Sequence, residues 1–394
     1  MQNDEFILEI PYGTRDFLPS EASEKRAIEA AIADLFAQWG YDEIVTPTIE
    51  YLDTLTMGNG SALEPHMFKF FDKNNRTLAL RHEMTTPIAR VVASRMRDEV
   101  LPLKLSYISS VFRYEQTQTG RQCEFNQAGV ELIGSASAQA DAEILAMAVE
   151  CMRRAGLQEF QLCLGQVEFI NGIMQQFRLN PEEQDKIKAA MEHHDLVGLE
   201  AIVDGTKLPK NSKEVLKAIP VLHGKEDMLK KAYGMAVNEQ SRRALDNLCE
   251  IYRLLKDYGV SAYVSFDLGV IRDFGYYTGM VFEIYTPGLG FPLCGGGRYD
   301  HMLSDFGSAC PATGFALGIE RIMLALERQG LQKPKITKEI YVAYAEGRIT
   351  EAIAKANEMR REGKVTELAL SAQSQQEAAG YQQNKGYKEL VYLS

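Results

Sequence analysis

The sequence predicts an α+β protein in which an antiparallel sheet is flanked by helices and followed by a small α/β domain. Two long β-rich runs joined by a polar segment predict an antiparallel hairpin. Strand signals vanish between about residues 180 and 258, and strand and helix signals alternate after residue 335. We therefore expect a core at residues 1–328, a helical insertion at about 180–258 and a C-terminal domain at 335–394.

The first helix is predicted to begin at Ser20, whose hydroxyl can cap free amide groups, and to end at Gly40. Its apolar residues recur at helical spacing, at Ile28, Ile32, Leu35, Phe36 and Trp39. Residues 41–50 then predict a strand, in which Pro47 is confined to an edge or a chain crossing.

A short hairpin and a helix are predicted next. Residues 68–72 and 77–81 predict the two strands of the hairpin. In the helix that follows, Thr85 and Thr86 can cap the first turn, where Pro87 is tolerated.

The two long β-rich runs cover residues 103–114 and 123–133, and the polar segment 115–122 joins them into an antiparallel hairpin. Ser137 is the predicted cap of a helix at residues 138–155.

The rest of the chain predicts the insertion and the C-terminal domain. Residues 159–164 predict a strand before the insertion, β character returns at 262–293, and residues 314–326 lead from a strand into a helix. The C-terminal βαβαβ pattern predicts a small parallel sheet. Its strands are expected at residues 340–344, 365–370 and 389–393.

Composition disfavours several classes of protein. The net charge of −11 argues against a surface that displaces counterions from nucleic-acid phosphates. No apolar run is long enough to span a bilayer and no secretory signal is visible, so we expect a cytoplasmic protein. The six cysteines include no Cys-x-x-Cys pair, and the adjacent His193 and His194 point in different directions on a helix. We therefore expect no metal.

The first long strand ends in residues that could hold an anion. Strand alternation places Arg113 and Glu115 on one face, and an arginine fork can bind a phosphate or carboxylate through two hydrogen bonds. The alternative is an ordinary surface ion pair between the two side chains.

The second long strand carries Gln127 and Glu131, which share a face because they are four residues apart. Glu131 is a carboxylate among apolar neighbours and needs a partner, which a ligand cation or an imidazole N–H could supply. The alternative is a buried pair with a nearby arginine.

Glu83 and Thr85 lie where a strand leads into a helix, and they could hold an α-ammonium group. The alternative is ordinary helix capping, which is the simpler interpretation for Thr85.

A second cluster of candidates lies between residues 272 and 297. Arg272 could reach a ligand carboxylate, and Tyr276 and Tyr277 are expected to point to opposite faces, so that only one lines a pocket. Glycines 295–297 allow backbone to approach a ligand closely, although a bulge or tight bend would also explain them.

Arg321 follows Gly314 and Gly318 near the start of a helix, where an anion could bind, although two glycines at this spacing are weak evidence. The sequence contains no P-loop and no dinucleotide-binding fingerprint. It also contains no serine or cysteine nucleophile motif.

Together these segments resemble the catalytic fold of class II aminoacyl-tRNA synthetases, and specifically the histidyl family, over nearly the whole chain. Residues 11–19 resemble the opening of that family, residues 112–115 with 124–127 its motif 2, and residues 314–321 its motif 3. Two further segments, 272–279 and 295–300, resemble its histidine-recognition signatures.

The resemblance implies a histidine site at Glu83, Thr85, Arg113, Gln127, Glu131, Arg272, Tyr276 and Tyr277. It also implies a vestigial ATP subsite at Arg113, Glu115, Phe125 and Arg321. In that family's arrangement, Glu131 and Tyr277 would contact the imidazole, Arg272 would contact the carboxylate, and Glu83, Thr85 and Gln127 would hold the amino acid backbone.

Four departures from the synthetase pattern suggest lost catalysis. The C-terminal domain, which resembles an anticodon-binding domain, stops after three strands. The run Arg81-His-Glu-Met stands where synthetases have Arg-Pro-Glu-Gly, and Gly275 replaces a carboxylate before the tyrosines. Gln122 and Cys123 replace an aromatic residue and an arginine of motif 2, which weakens a clamp on the α-phosphate.

This pattern resembles the family of ATP phosphoribosyltransferase regulatory subunits, synthetase-like proteins of histidine biosynthesis. The resemblance implies no catalytic residue and no cofactor, with L-histidine as effector. It also implies a homodimer through the class II core, and a short catalytic subunit as partner in a hetero-octamer. An active histidyl-tRNA synthetase is the main alternative, because Arg113, Arg272 and Arg321 are retained. A synthetase-like binding module for another partner is a further one.

Overall fold

The structure is a computed structural model that describes residues 8–57, 63–114, 122–193, 195–236, 238–269, 276–331 and 338–394. The chain divides into two compact units. One unit comprises Met1–Asp16 and Lys25–Gln332, and the other comprises Phe17–Glu24 and Lys333–Ser394. No helix in the described ranges is long and apolar enough to cross a membrane.

The N-terminal elements are α1 (Pro19–Gln38), β1 (Asp42–Glu43), β2 (Ile49–Tyr51) and α2 (Leu52–Leu55). The cap predicted at Ser20 is wrong, because the helix already begins at Pro19 and the Glu21 carboxylate accepts the Leu18 N–H at 3.3 Å. The single strand predicted over 41–50 is two short strands in different sheets, consistent with a proline at position 47 that has no N–H to donate.

The elements that carry the site follow as β3 (Lys69–Phe71), β4 (Thr77–Leu80), α3 (Thr85–Arg95), β5 (Leu103–Phe112), β6 (Glu124–Ile133) and α4 (Ala138–Ala155). β3 and β4 form the short hairpin, and β5 and β6 form the long one, both antiparallel as predicted. The Ser137 hydroxyl caps α4 as predicted, accepting the Ala140 N–H at 3.2 Å.

The middle of the chain is mostly helical. It comprises β7 (Gln161–Gln166), α5 (Val167–Gln176), α6 (Pro181–Glu192), α7 (Leu196–Gly205), α8 (Lys210–Ala218), β8 (His223–Gly224), α9 (Glu226–Met235) and α10 (Glu239–Asp257). A stripe of buried apolar residues along α10, including Leu245, Leu248 and Ile251, packs into the main core with α4 and α5.

The last elements of this unit are β9 (Val264–Asp267), β10 (Met280–Tyr285), β11 (Cys294–Arg298), β12 (Ala312–Gly318) and α11 (Ile319–Arg328). Among the described residues, nine strands form one mixed sheet in the order β1-β5-β6-β12-β11-β10-β7-β9-β8. Its six central strands are paired antiparallel throughout, and the parallel pairs that the described strands form lie near its two edges.

Residues that pair across the sheet point to the same side, so the register separates two faces. One face is apolar and packs on α1, α4 and α10. Its central row is Val130, Phe315, Phe282, Leu164 and Phe266. The opposite face carries Gln127, Glu131 and a set of glycines, and it is where the candidate site residues converge.

The C-terminal segment forms β13 (Ile340–Tyr344), α12 (Ile349–Arg361), β14 (Thr366–Leu368), α13 (Gln375–Lys385) and β15 (Glu389–Leu393). The three strands pair in the order β14-β13-β15, and both pairs are parallel, as the sequence pattern predicts. Ser374 and Glu377 form a capping box that fixes the start of α13. Apolar residues of the central strand β13 are buried in a separate small core.

Candidate functional site

Glycine forms the floor of the site at the centre of the sheet. Glu131 of β6 lies opposite Gly314 of β12, which in turn lies opposite Gly297 of β11. A methyl group added at Gly314 would come within 2.1 Å of the Glu131 Oε2, and one at Gly297 within 2.8 Å of the Tyr277 ring. The register of β11 runs without interruption through its three glycines, so the bend or bulge considered for them is wrong.

Glu131 is the central charged group of this face, and only 2% of its surface is exposed. Thr85 donates its hydroxyl to Oε1 at 2.8 Å, and Tyr299 donates its hydroxyl to Oε2. Within the described ranges, the side-chain donors to Glu131 are these two hydroxyl groups. The arginine partner considered as an alternative from the sequence is not among them. Burial raises the pKa of Glu131 to about 8. The two hydroxyl donors oppose this rise and the Glu83 carboxylate adds to it.

A wall of tyrosines surrounds Glu131. The ring of Tyr276 stacks on that of Tyr299, with centroids 5.2 Å apart, and meets Tyr277 edge-on at 4.8 Å. These contacts place both Tyr276 and Tyr277 on the glycine side of the sheet. The expectation that they point to opposite faces is wrong, because residues 276–278 are not in a strand and strict alternation does not apply to them. Burial, followed by the charge of Glu131, raises the pKa of Tyr276 and of Tyr107 well above the usual range.

Glu83 replaces the threonines as the cap of α3. Its carboxylate accepts the Thr86 N–H at 2.9 Å and the Thr85 N–H at 2.5 Å, so the capping role predicted for Thr85 and Thr86 is wrong. A carboxylate can accept several N–H groups at the start of a helix. Because Glu83 accepts these N–H groups, the Thr85 hydroxyl is available to Glu131. The side-chain oxygen of Gln127 is buried and has no hydrogen-bond partner among the described residues.

The candidate ATP residues lie toward the ends of β5, β6 and β12. The Arg113 Nε donates to the His82 carbonyl at 2.9 Å, and its guanidinium group lies 5.6 Å from the centre of the Phe125 ring. The Arg321 Nη1 donates to the Pro292 carbonyl at 2.7 Å. Glu115 and Arg272, also named from the sequence, lie outside the described residues.

Two groups of functional interest were missed in the sequence. Tyr299 belongs to the segment 295–300, where the glycines alone indicated a ligand site, and an aromatic residue two positions after Gly297 was a usable signal. The ion pair of Asp141 with Arg298, with Nη2 to Oδ1 at 2.8 Å, gave no local signal because 157 residues separate the partners. The Arg298 carbonyl accepts the Thr278 N–H at 2.8 Å, so the pair also holds the segment that carries the tyrosines.

Geometry of this kind suits a small cation with a planar ring. A buried carboxyl group, an unpartnered amide oxygen and stacked phenol rings provide one acidic group, one acceptor and an aromatic wall. No cluster of three or more His, Cys, Asp or Glu side chains that could hold a metal occurs in the part of the chain that the structure describes.

A family model and a curated relative each match most of this chain. A family model described as histidyl-tRNA synthetase matches residues 13–322. The chain is 44% identical over 373 residues to the ATP phosphoribosyltransferase regulatory subunit of Moorella thermoacetica, which covers 94% of this chain and 95% of that protein.

Two solved structures extend the comparison. The crystal structure of an ATP phosphoribosyltransferase regulatory subunit/histidyl-tRNA synthetase from Bacillus halodurans C matches with a TM-score of 0.89 and 35% identity, over 99% of each chain. A histidyl-tRNA synthetase from Nostoc sp. PCC 7120 matches with a TM-score of 0.84 at 19% identity, over 96% of this chain and 90% of that one, and shares the fold.

Proposed function

The chain belongs to the family of ATP phosphoribosyltransferase regulatory subunits, and from that premise we propose that it binds free L-histidine and controls a separate catalytic subunit. The observation that carries this proposal is the environment of Glu131. A deeply buried carboxyl group is costly unless it is paired, and hydroxyl groups alone compensate a carboxylate weakly. An imidazole supplies the missing partner.

The amino acid backbone of histidine is proposed to lie toward Gln127 and Glu83. The α-ammonium group has three donors, and the buried side-chain oxygen of Gln127 is an acceptor that no other described residue satisfies. The negative charge of Glu83 adds attraction for the same group. Arg272 remains the proposed partner of the α-carboxylate.

Regulation is proposed to act through a short ATP phosphoribosyltransferase catalytic subunit, in a hetero-octamer, with this chain contributing no catalysis of its own. The names of its relatives support such a role. Histidine can inhibit only to the extent that it binds one state of the complex better than another. Ordering of the loops around Tyr276 and Tyr277 is our proposed transmitter.

A second copy of this chain is the proposed partner for the small sheet β2-β4-β3. The register places Ile49, Tyr51, Phe70, Leu78 and Leu80 on one face. Ile49 and Tyr51 are 46% and 41% exposed, and a contiguous exposed apolar face of this kind marks a protein contact. This supports the homodimer that the class II resemblance implies.

Calorimetric titration of the purified chain with L-histidine tests the binding proposal. Gln127→Met keeps the length of the side chain but removes the acceptor, so we expect affinity to fall about tenfold while thermal stability stays constant or rises. Gln383→Met, at an exposed position of α13, is the matched control and should bind normally. Absence of histidine binding to the unaltered chain would refute the proposal.

Adding the chain to a short catalytic subunit tests the regulatory role. We expect phosphoribosyl transfer to ATP to rise on mixing and to become sensitive to histidine. Neither histidine-dependent exchange of pyrophosphate into ATP nor charging of tRNA is expected. Either of the latter reactions would support the synthetase alternative instead.

A further inference from the structure

We propose that Glu131 is protonated in the free protein and passes its proton to the imidazole of bound histidine, which is then held as an imidazolium ion beside a carboxylate. This inference rests on the proposed function, because it concerns the ligand of the same site. The O–H bond of Glu131 breaks and an N–H bond forms at a ring nitrogen. At a pH above the titration of free imidazole and below that of Glu131, binding exchanges no proton with solvent.

The position of Glu131 favours the neutral acid before the ligand arrives. Only 2% of the residue is exposed, and the close approach of Gly314 fills the space beside Oε2 with protein. The described groups that bond to it, Thr85 and Tyr299, are neutral hydroxyls, and a hydroxyl can donate to a carboxyl group without bringing a compensating positive charge.

A second carboxylate nearby acts in the same direction. Glu83 precedes α3, and its carboxylate accepts two backbone N–H groups at the start of that helix. A carboxylate close to a buried carboxyl group disfavours ionisation of that group, so Glu83 adds to the tendency of Glu131 to keep its proton. The raised pKa of Glu131, about 8, agrees with this arrangement.

Within the part of the chain that the structure describes, the other ionisable side chains packed beside Glu131 are phenols. Tyr107 comes from β5, Tyr276 from the segment before β10, and Tyr299 from the end of β11, and burial raises the pKa of each. They therefore stay neutral below pH 9 and cannot supply the positive charge that a carboxylate needs. His82 is next to Glu83 in the chain, and burial lowers its pKa, so it is also neutral at pH 7.5.

Binding reverses the balance between Glu131 and the ligand. Once the imidazole is present, the hydroxyls of Thr85 and Tyr299 stabilise the carboxylate, and the stacked rings of Tyr276 and Tyr299 offer π-faces to a cation. A charge-assisted bond between an imidazolium and a carboxylate is also about twice as strong as a neutral one. These terms favour transfer of the proton to the ring.

Nitrogen NMR of ring-labelled L-histidine tests the inference directly. At pH 7.5 the imidazole ring of free histidine is mostly neutral, because its ordinary pKa is about 6.5. We expect both ring nitrogens of the bound ligand to give imidazolium shifts. Bound histidine with the shifts of a neutral tautomer would overturn the inference and leave the proposed function intact, whereas a spectrum of free ligand only would refute both.

Affinity measurements with a less basic ligand provide an independent test. L-Triazolylalanine has the shape of histidine but a far less basic ring, so we expect it to bind the protein about tenfold more weakly at pH 7.5. Glu131→Gln cannot supply a proton, and in this variant the preference for histidine should disappear. Equal affinity of the unaltered protein for the two ligands would contradict proton transfer.

The pH dependence of histidine affinity gives the third readout. Between pH 6.5 and 8 affinity should be nearly constant, and above pH 8 the dissociation constant should rise about tenfold per pH unit, because the complex must then take up a proton. The α-amino group of histidine also titrates there, equally in Glu131→Gln, so the difference between the two proteins isolates Glu131. A decline that begins at pH 6.5 would overturn the inference.

Discussion

Glu131 and Asp141 are both buried carboxyl groups of the same unit, but they are compensated differently. Asp141 has 1% of its surface exposed and accepts hydrogen bonds from Arg298, the Nη2 at 2.8 Å and the Nε at 3.1 Å. Glu131 is buried to a similar degree and accepts hydrogen bonds from the hydroxyl groups of Thr85 and Tyr299. Asp141 therefore has a permanent counter-charge within the fold, whereas Glu131 accepts from neutral donors alone among the residues that the structure describes.

The difference separates a structural residue from a binding residue. A buried carboxylate that already faces a guanidinium group has its charge balanced, and a ligand adds little to it. A buried carboxyl group that only accepts from hydroxyls gains most from a ligand that brings a proton donor or a positive charge. Depth of burial alone would not have distinguished Asp141 from Glu131, whereas the chemical type of the partner does.

The largest effect expected from this comparison is on stability. Asp141→Ala removes the buried counter-charge of Arg298 and leaves its guanidinium with only the more exposed Asp300, at 3.0 Å from Nη1, as an ion-pair partner in the described ranges. The free energy of unfolding should therefore fall by about 3–5 kcal/mol. Urea unfolding followed by circular dichroism measures it. Glu150→Ala removes the exposed ion pair with Arg153 from the same helix and should change stability by less than about 0.5 kcal/mol. Similar losses in both variants would mean that the buried pair is not special.

A somewhat smaller effect concerns pH and Glu131. Its pKa is raised in the folded protein from an ordinary 4.5 to about 8, so between these values the folded state binds a proton that the unfolded state has lost. Stability must therefore fall as pH rises through this window, on the order of 3 kcal/mol from pH 5 to pH 8. The difference in unfolding free energy between the unaltered protein and Glu131→Gln at each pH measures this contribution.

The critical result is how the difference in unfolding free energy between the two proteins changes with pH. Groups other than residue 131 titrate equally in the two proteins, so the unaltered protein should lose stability relative to Glu131→Gln as pH rises. A difference that stays constant over the window would show that Glu131 is ionised in the fold.

Sequence reasoning predicted the parts of the molecule that depend on local signals. The long hairpin, the Ser137 cap and the parallel order of the C-terminal strands follow from alternation, capping chemistry and connection length. The candidate list also contained Glu131, because a carboxyl group in an apolar strand is conspicuous. Its partner Tyr299 was missed because 168 residues separate the two and no local pattern links them.

The errors near the site share a cause. Thr85 has the chemistry of a helix cap, but Glu83 lies two residues before it and its carboxylate accepts the free N–H groups instead. Tyr276 and Tyr277 were assigned to opposite faces on the assumption of a regular strand, which begins only at Met280. In each case a tertiary contact decided between local alternatives of similar energy.

The smallest expected effect comes from the hydroxyl that completes Glu131. Tyr299→Phe removes one donor but keeps the ring stacked on Tyr276, so histidine affinity should fall about fivefold, equivalent to about 1 kcal/mol. Tyr285→Phe is the matched control, because Tyr285 donates to the carboxylate of Glu283, which is not among the candidate site residues. Calorimetry should show normal histidine affinity in the control. Equal losses in the two variants would mean that the phenols act on the sheet as a whole, and the contrast between a compensated and an uncompensated carboxylate would lose its support.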